Sequence, residues 1–497
     1  MHKRNIVFLA GGVVVLAAAL MVACGSNSGS STVSPETSTT QSGSVVTFGM
    51  DAPICDVESF VATITSASLV PQGGGSAVSL ITSTAPATVD FARLTDFTNI
   101  LSSASSVTAG TYSELQMTLT NPQLIVLNTS TNPPSPQTVP ATLTATTFTI
   151  TISPALVVSA NTTSGLLMDF NLRKSLQVDA NGQVTGTVDP QITVAAATTS
   201  GTTVGEADTL YGIVQSVSTT NPPSGFTGSF GLAVKDGTGQ TLTILVNSST
   251  VFEGDSVTSL TGLTANTFVE VDAIVNTSGQ IIAQTVDVEE QTSTASQKSA
   301  FLGHIIAVTR DGSGNATAFT LLVDDEIPDI SGSVPLHSGL NVTLTGTTTY
   351  FTNWQHWNRQ AFVLGPQTLG VGEKVAVHGV LGSGTPPPMT AHQVFLRPRA
   401  VMGNFTTLQA AGSDDKTGAF TLTPCGSIFG GKAITVLTYS DTSFNGVSGL
   451  TGLSTAPTLN TNGVLFYEQT SGTSASGGSW AAPTWVMQAR GVHQLPN

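Results

Sequence analysis

Charge is scarce in this chain. Only 9% of its 497 residues are Asp, Glu, Lys or Arg, which excludes a coiled coil or a protein built on charged tails. Bases are the scarcer sign, 15 against 30 acids, so nucleic acid is not an expected partner. There is no His-Glu-x-x-His, no Gly-x-Ser-x-Gly and no phosphate-binding Gly-Lys-Ser/Thr loop, and no cofactor is expected. Three cysteines provide neither metal-ligand spacing nor a disulfide framework. No long stretch has helical periodicity. What the chain has instead is 50 Gly, 24 Pro and 40% hydrophobic residues, enough punctuation for many turns and enough apolar material for buried cores. Plain disorder is excluded, and the length suggests three or four units.

The start of the chain is an address. Lys3 and Arg4 precede a run from Ile6 to Ala23 without a polar side chain, and Cys24 closes it. Met21-Val22-Ala23-Cys24 resembles the lipobox of bacterial lipoproteins, which implies a signal peptide over 1–23 and acylation of Cys24. The competing expectation is an uncleaved anchor, since 18 such residues just span a bilayer. Gly25 after the Cys points to the outer membrane of a two-membrane cell. Loss of 1–23 leaves 13 bases against 30 acids, a net charge of −17. Residues 24–43 are Ser- and Thr-rich with little to bury, and read as a flexible tether. Cys55 and Cys425 stand 370 positions apart in units read as separate. A bridge would need the ends of the chain to meet, so each is expected to be a small buried side chain.

From Ser44 onward the pattern is short period-two runs. Leu115, Met117 and Leu119 alternate with Glu114, Gln116 and Thr118, and Phe148, Ile150 and Ile152 alternate with Thr147, Thr149 and Thr151. After about residue 205 the chain repeats. Leu210-Tyr211-Gly212 has counterparts in Phe301-Leu302-Gly303 and Val401-Met402-Gly403, at spacings of 91 and 100 residues. Strand pairs follow each opening. Closing blocks are Phe268 to Asp272, Lys374 to His378 and, least clearly, Val464 to Tyr467. The fold class is all-β: an N-terminal β-sandwich-like domain over 44–197, then small β-barrel-like modules over 208–290, 300–397 and a divergent 399–492.

Asp51-Ala52-Pro53, the Ala109-Gly110-Thr111-Tyr112 turn, and Met168-Asp169-Phe170 followed by Lys174-Ser175 make residues 44 to about 197 similar to domain-of-unknown-function family 4382. Residues 208–290, and more loosely 300–397 and 399–492, resemble family 5666 of small β modules in exported proteins. The resemblance implies an exported, modular protein. It brings no established activity and no functional residue.

Four groups are candidates for chemistry. Asp51 could serve as a base or cation ligand, against capping of its own turn. Asp324, Asp325, Glu326 and Asp329 are the densest acids, a calcium candidate weighed against a solvated loop. Five of seven histidines, His304, His337, His356, His378 and His392, fall in the second repeat and are expected to be dispersed over its surface. Trp354, His356, Trp357 and Arg359 lie in an aromatic, amide-rich insertion suited to a sugar or peptide, or to plugging a barrel end. The expected role is non-catalytic: binding, adhesion or scaffolding at the cell envelope, with the membrane reached through the lipid and a glycan or envelope protein as partner. The alternative is a carbohydrate-active or other hydrolytic envelope enzyme using loop carboxylates.

Overall fold

The computed structural model describes residues 41–495 apart from 52–53, 96–98, 133, 181–182, 235–240, 254–256, 291–298, 328–333, 353–361 and 456–457. The leader, Cys24 and most of the tether lie outside the described residues, as do Trp354, His356, Trp357, Arg359 and Asp329. Residues from Gln41 onward form one compact unit. No described helix is long and apolar enough to cross a membrane.

The N-terminal region is organised by strand Ser42–Asp51. It lies between Asn99–Thr108, antiparallel to it, and Thr163–Phe170, parallel to it, within a ten-stranded sheet. The longest pairing is Val57–Pro71 with Gly110–Asn128. There the sequence alternation becomes a physical one: Leu115, Met117 and Leu119 are buried, while Gln116 faces solvent. On the inner face Phe60, Phe91 and Phe170 pack with ring centroids 4.4 to 6.2 Å apart.

Three barrel-like units follow, and they share one pairing scheme. An opening strand pairs antiparallel with the second and fifth strands, and the third strand closes the sheet by pairing parallel with the sixth. The closing pairs are Ile244 with Ile281, Val342 with Met389, and Ile434 with Trp485. Two devices recur with this scheme. A Cβ on Gly212 or Gly403 would sit 2.5 Å from a carbonyl of the second strand, and one on Gly303 closer still, so side chains are excluded where these strands cross. Thr250, Thr348 and Thr442 stand before the short fourth strand. Each hydroxyl accepts from a backbone N–H three residues earlier, at 2.9 to 3.1 Å, and donates to the carbonyl of Ala283, Ala391 or Ala489 at 2.8 to 2.9 Å. This staples the turn to the sixth strand in all three copies.

The second and third barrels are not joined by a linker. Strand Met389–Ala411 is the sixth strand of one, pairing with Lys374–Leu381, and the opening strand of the next, pairing with Gly418–Pro424. Their strands form one 11-stranded sheet. The four units also return on themselves. Val46, Phe48 and Ile100 of the N-terminal region pack into the first barrel's core. Tyr211, Phe268, Leu302 and Ala376 join the first barrel to the second. Leu127, Ile306, Leu322 and Ile428 bring the second and third back to the N-terminal region. The expected string of modules is a closed circuit.

Candidate functional site: a charged cavity at the closing seam

The circuit is completed covalently. Cys55 and Cys425 form a disulfide with a Cα–Cα distance of 5.7 Å, correcting the expectation of two separate buried side chains. The distance along the chain was a poor guide because each intervening unit packs on the next and the last returns to the first. Cys425 is exposed and Cys55 only half-buried, so neither behaves as a core apolar residue.

Behind the disulfide lies a cavity of about 90 Å³. Glu58, Arg93, His304, Asp324, Lys374 and Arg399 line it, drawn from the N-terminal region and the second and third barrels. Two of these carboxylates occur where a strand carries an extra residue. Val57 and Ser59 face consecutive partners, Val126 and Ile125, leaving Glu58 as the added residue. Likewise Leu302 and Gly303 face Asp325 and Val323, leaving Asp324 out of register. A bulge re-aims side chains that strict alternation would send elsewhere. Asp324, Asp325 and Glu326 are thus buried strand residues, which corrects the solvated-loop expectation.

The carboxylates differ in state. His304 Nδ1 lies 3.1 Å from Asp324 Oδ2 and 4.0 Å from Glu58 Oε2. Burial pushes Asp324 up, but the charge and hydrogen bond of His304, with Arg93 and Lys374, outweigh it and hold this carboxyl well below the usual range. For Glu58 burial wins over His304 and Arg399, and its pKa is raised. Arg93 reaches across the seam to the Asp324 carbonyl at 3.5 Å and to Asp325 at 3.6 Å. Asp56 accepts from both the amide and the hydroxyl of Ser427. Chemically, the cavity juxtaposes a carboxyl of lowered pKa, an imidazole, a carboxyl of raised pKa, and cations.

The other sequence candidates are placed as follows. Asp51 accepts from the Leu172 amide at 2.9 Å, tying the end of its strand to the short helix Leu172–Ser175 across 121 positions. Three histidines expected on the surface are largely buried at seams: His304; His337, 4.0 Å from Asp90; and His378, which packs on Phe395 at 5.2 Å. Glu58 beside His304 and Asp90 beside His337 come from the N-terminal region, which the repeat alignment could not show. His392 is exposed. Among the described residues no group of three or more His, Cys, Asp or Glu is arranged to hold a metal ion.

Sequence reasoning missed a second ionic cluster. Arg397, whose side chain is 2% exposed, binds Glu270 at 2.8 Å and Asp287 at 3.2 Å across the seam between the first two barrels. Glu253 and Asp272 add to the negative field. Burial raises Glu270 to about 7 against the pull of Arg397, and burial with the neighbouring carboxylates raises Glu253 to about 8. A visible signal was the run Val269-Glu270-Val271-Asp272, with acids on the outward face of a barrel strand.

Two family models match parts of the chain. Residues 42–185 match the model described as Domain of unknown function (DUF4382), and 211–287 match Domain of unknown function (DUF5666). No curated protein matches the chain. Among solved structures, Unr CSD456 from drosophila is 11% identical, with 58% of this chain and 97% of that one covered, at a TM-score of 0.14. A deletion mutant of the single-stranded DNA binding protein from Thermus aquaticus is 13% identical, with 40% and 96% covered, at 0.13. At such scores neither likeness carries an argument about fold or ligand.

Proposed function

We propose that this is an exported, lipid-anchored protein of the cell envelope, held at the outer membrane through acylated Cys24, that binds or scaffolds rather than turning over a substrate. The observation that carries the reading is the Cys55–Cys425 disulfide. Bonds of this kind persist in oxidising compartments and are rare where thiols are kept reduced. That agrees with the basic, apolar, Cys-terminated leader. The four units and their seams support a rigid body suited to a fixed partner, a glycan or another envelope protein. Labelled palmitate fed to producing cells should enter the protein and be lost in Cys24→Ala, with the label in the membrane fraction. Absence of label, or an intact leader on the native protein, would overturn the anchoring.

One observation favours the second reading, a hydrolytic envelope enzyme. His304 lies between a depressed and a raised carboxyl, a set that general acid–base chemistry uses. A glycoside and ester hydrolysis screen of the purified protein decides it. Turnover abolished by Glu58→Gln, with the fold retained, would replace the binding role.

A further inference from the structure

The closing seam places a disulfide and a set of cations around one small space, and its two sulfurs belong to residues of unequal exposure. Cys425, just beyond strand Gly418–Pro424, is exposed, while Cys55 is half-buried. Both line the cavity with Arg93, His304, Lys374 and Arg399. We infer that Cys55–Cys425 is a reducible latch: a dithiol exchanges with it at Cys425, and breaking the bond opens the seam between the N-terminal region and the third barrel.

Exchange starts with a thiolate attacking one sulfur and requires the other to leave as a thiolate. Attack on Cys425 Sγ forms a mixed disulfide there, breaks the Cys55–Cys425 bond and releases the Cys55 thiolate toward the cavity. Cations beside a sulfur favour its anionic form. The reductant's second thiolate then attacks its own sulfur in the mixed disulfide, closing the reductant's disulfide and releasing the Cys425 thiolate. Two electrons pass from the dithiol to the protein, and the two thiol protons end on Cys55 and Cys425. The acids facing the same space are engaged: Asp324 with His304, Glu58 near that imidazole, and Asp56 with Ser427. After reduction the seam retains those contacts, the Arg93–Asp325 pair and the cluster of Leu127, Ile306, Leu322 and Ile428. Between the N-terminal region and the third barrel, a covalent closure spanning 370 positions is replaced by the exposed Asp56–Ser427 hydrogen bonds and the apolar side chains, Ile54, Val57, Ile428 and Phe429, that line the cavity from both sides.

The test uses the full, oxidised chain without denaturant. Dithiothreitol should generate free thiols at both cysteines, read by alkylation and peptide mapping. Brief exposure to glutathione, a monothiol, should trap the mixed disulfide on Cys425 over Cys55 by roughly tenfold. Amide exchange over 54–58 and 425–429 should rise by roughly tenfold or more on reduction, while strand Phe268–Asn276 keeps its protection. Cys425→Ser should show the same local rise without reductant. Thiols that appear only in denaturant, equal trapping on both cysteines, or reduction without change in exchange would each overturn the latch. None of these readouts depends on Cys24, so failure of the envelope reading would be seen separately.

Discussion

Two of the seams between units bury charge, and they do so in opposite ways. At the Arg397 seam one guanidinium serves Glu270 and Asp287 in an acid-rich setting, without a covalent tie. At the closing seam cations and acids are more evenly matched, a cavity remains, and a disulfide spans it. The comparison teaches that a crowded, one-sided cluster is held by packing on both sides. Tyr211 and Phe268 stack at 6.0 Å there, and Arg397 lies 5.7 Å from the Phe395 ring. At the closing seam, mixed charge and apolar side chains such as Ile54, Val57, Met402 and Phe429 line the same open space.

The largest expected effect tests the first half of that contrast. Arg397→Ala should cost about 3 to 5 kcal/mol in urea unfolding, because it leaves Glu270 and Asp287 buried without their guanidinium. A loss under about 1 kcal/mol would mean the seam is hydrated and its acids never needed the partner.

Next comes Asp324→Asn, at about 1 to 3 kcal/mol, since the charge-assisted contact with His304 is lost. Its pH dependence has a definite sign. The folded carboxyl lies below the unfolded one, so its contribution is present above the unfolded value of 3.8 and fades as the pH falls through the depressed folded value. Denaturation curves of both proteins should therefore converge toward acid; a constant gap would remove the ion pair from the account.

The third effect carries the opposite sign. Glu270 and Glu253 bind protons more tightly when folded, so their contribution is full below 4.5 and is lost as the pH rises through about 7 and about 8. Melting temperature should drift downward between these limits, and Glu270→Gln should flatten the drift. An unchanged slope would show that the two seams do not differ in their response to protons.

Strands and repeats were legible because their signals are local. Alternation at Leu115, Met117 and Leu119, and the recurring Gly212, Gly303 and Gly403, reflect which face is buried and where backbones cross. Seams were not legible. Glu58 and Asp324 face the cavity because each strand carries one added residue, and a single insertion defeats a period-two reading. His378 stands at the same register break as Asp272, its partner in the repeat alignment, yet it is buried where Asp272 is only half-buried, a difference that alignment cannot represent. The Cys pair fails for the same reason, since contact between the two ends emerges only from the sum of all the dockings between them.

Strand Met389–Ala411 leaves the second and third barrels without a hinge. Its 23 residues extend roughly 75 Å at the usual rise of a strand. A pull on one barrel therefore travels along a continuous, hydrogen-bonded backbone into the other. Deleting a residue near position 398 would throw both out of alignment together. The pair is one mechanical part, and anything seated on one half keeps a fixed offset from anything seated on the other.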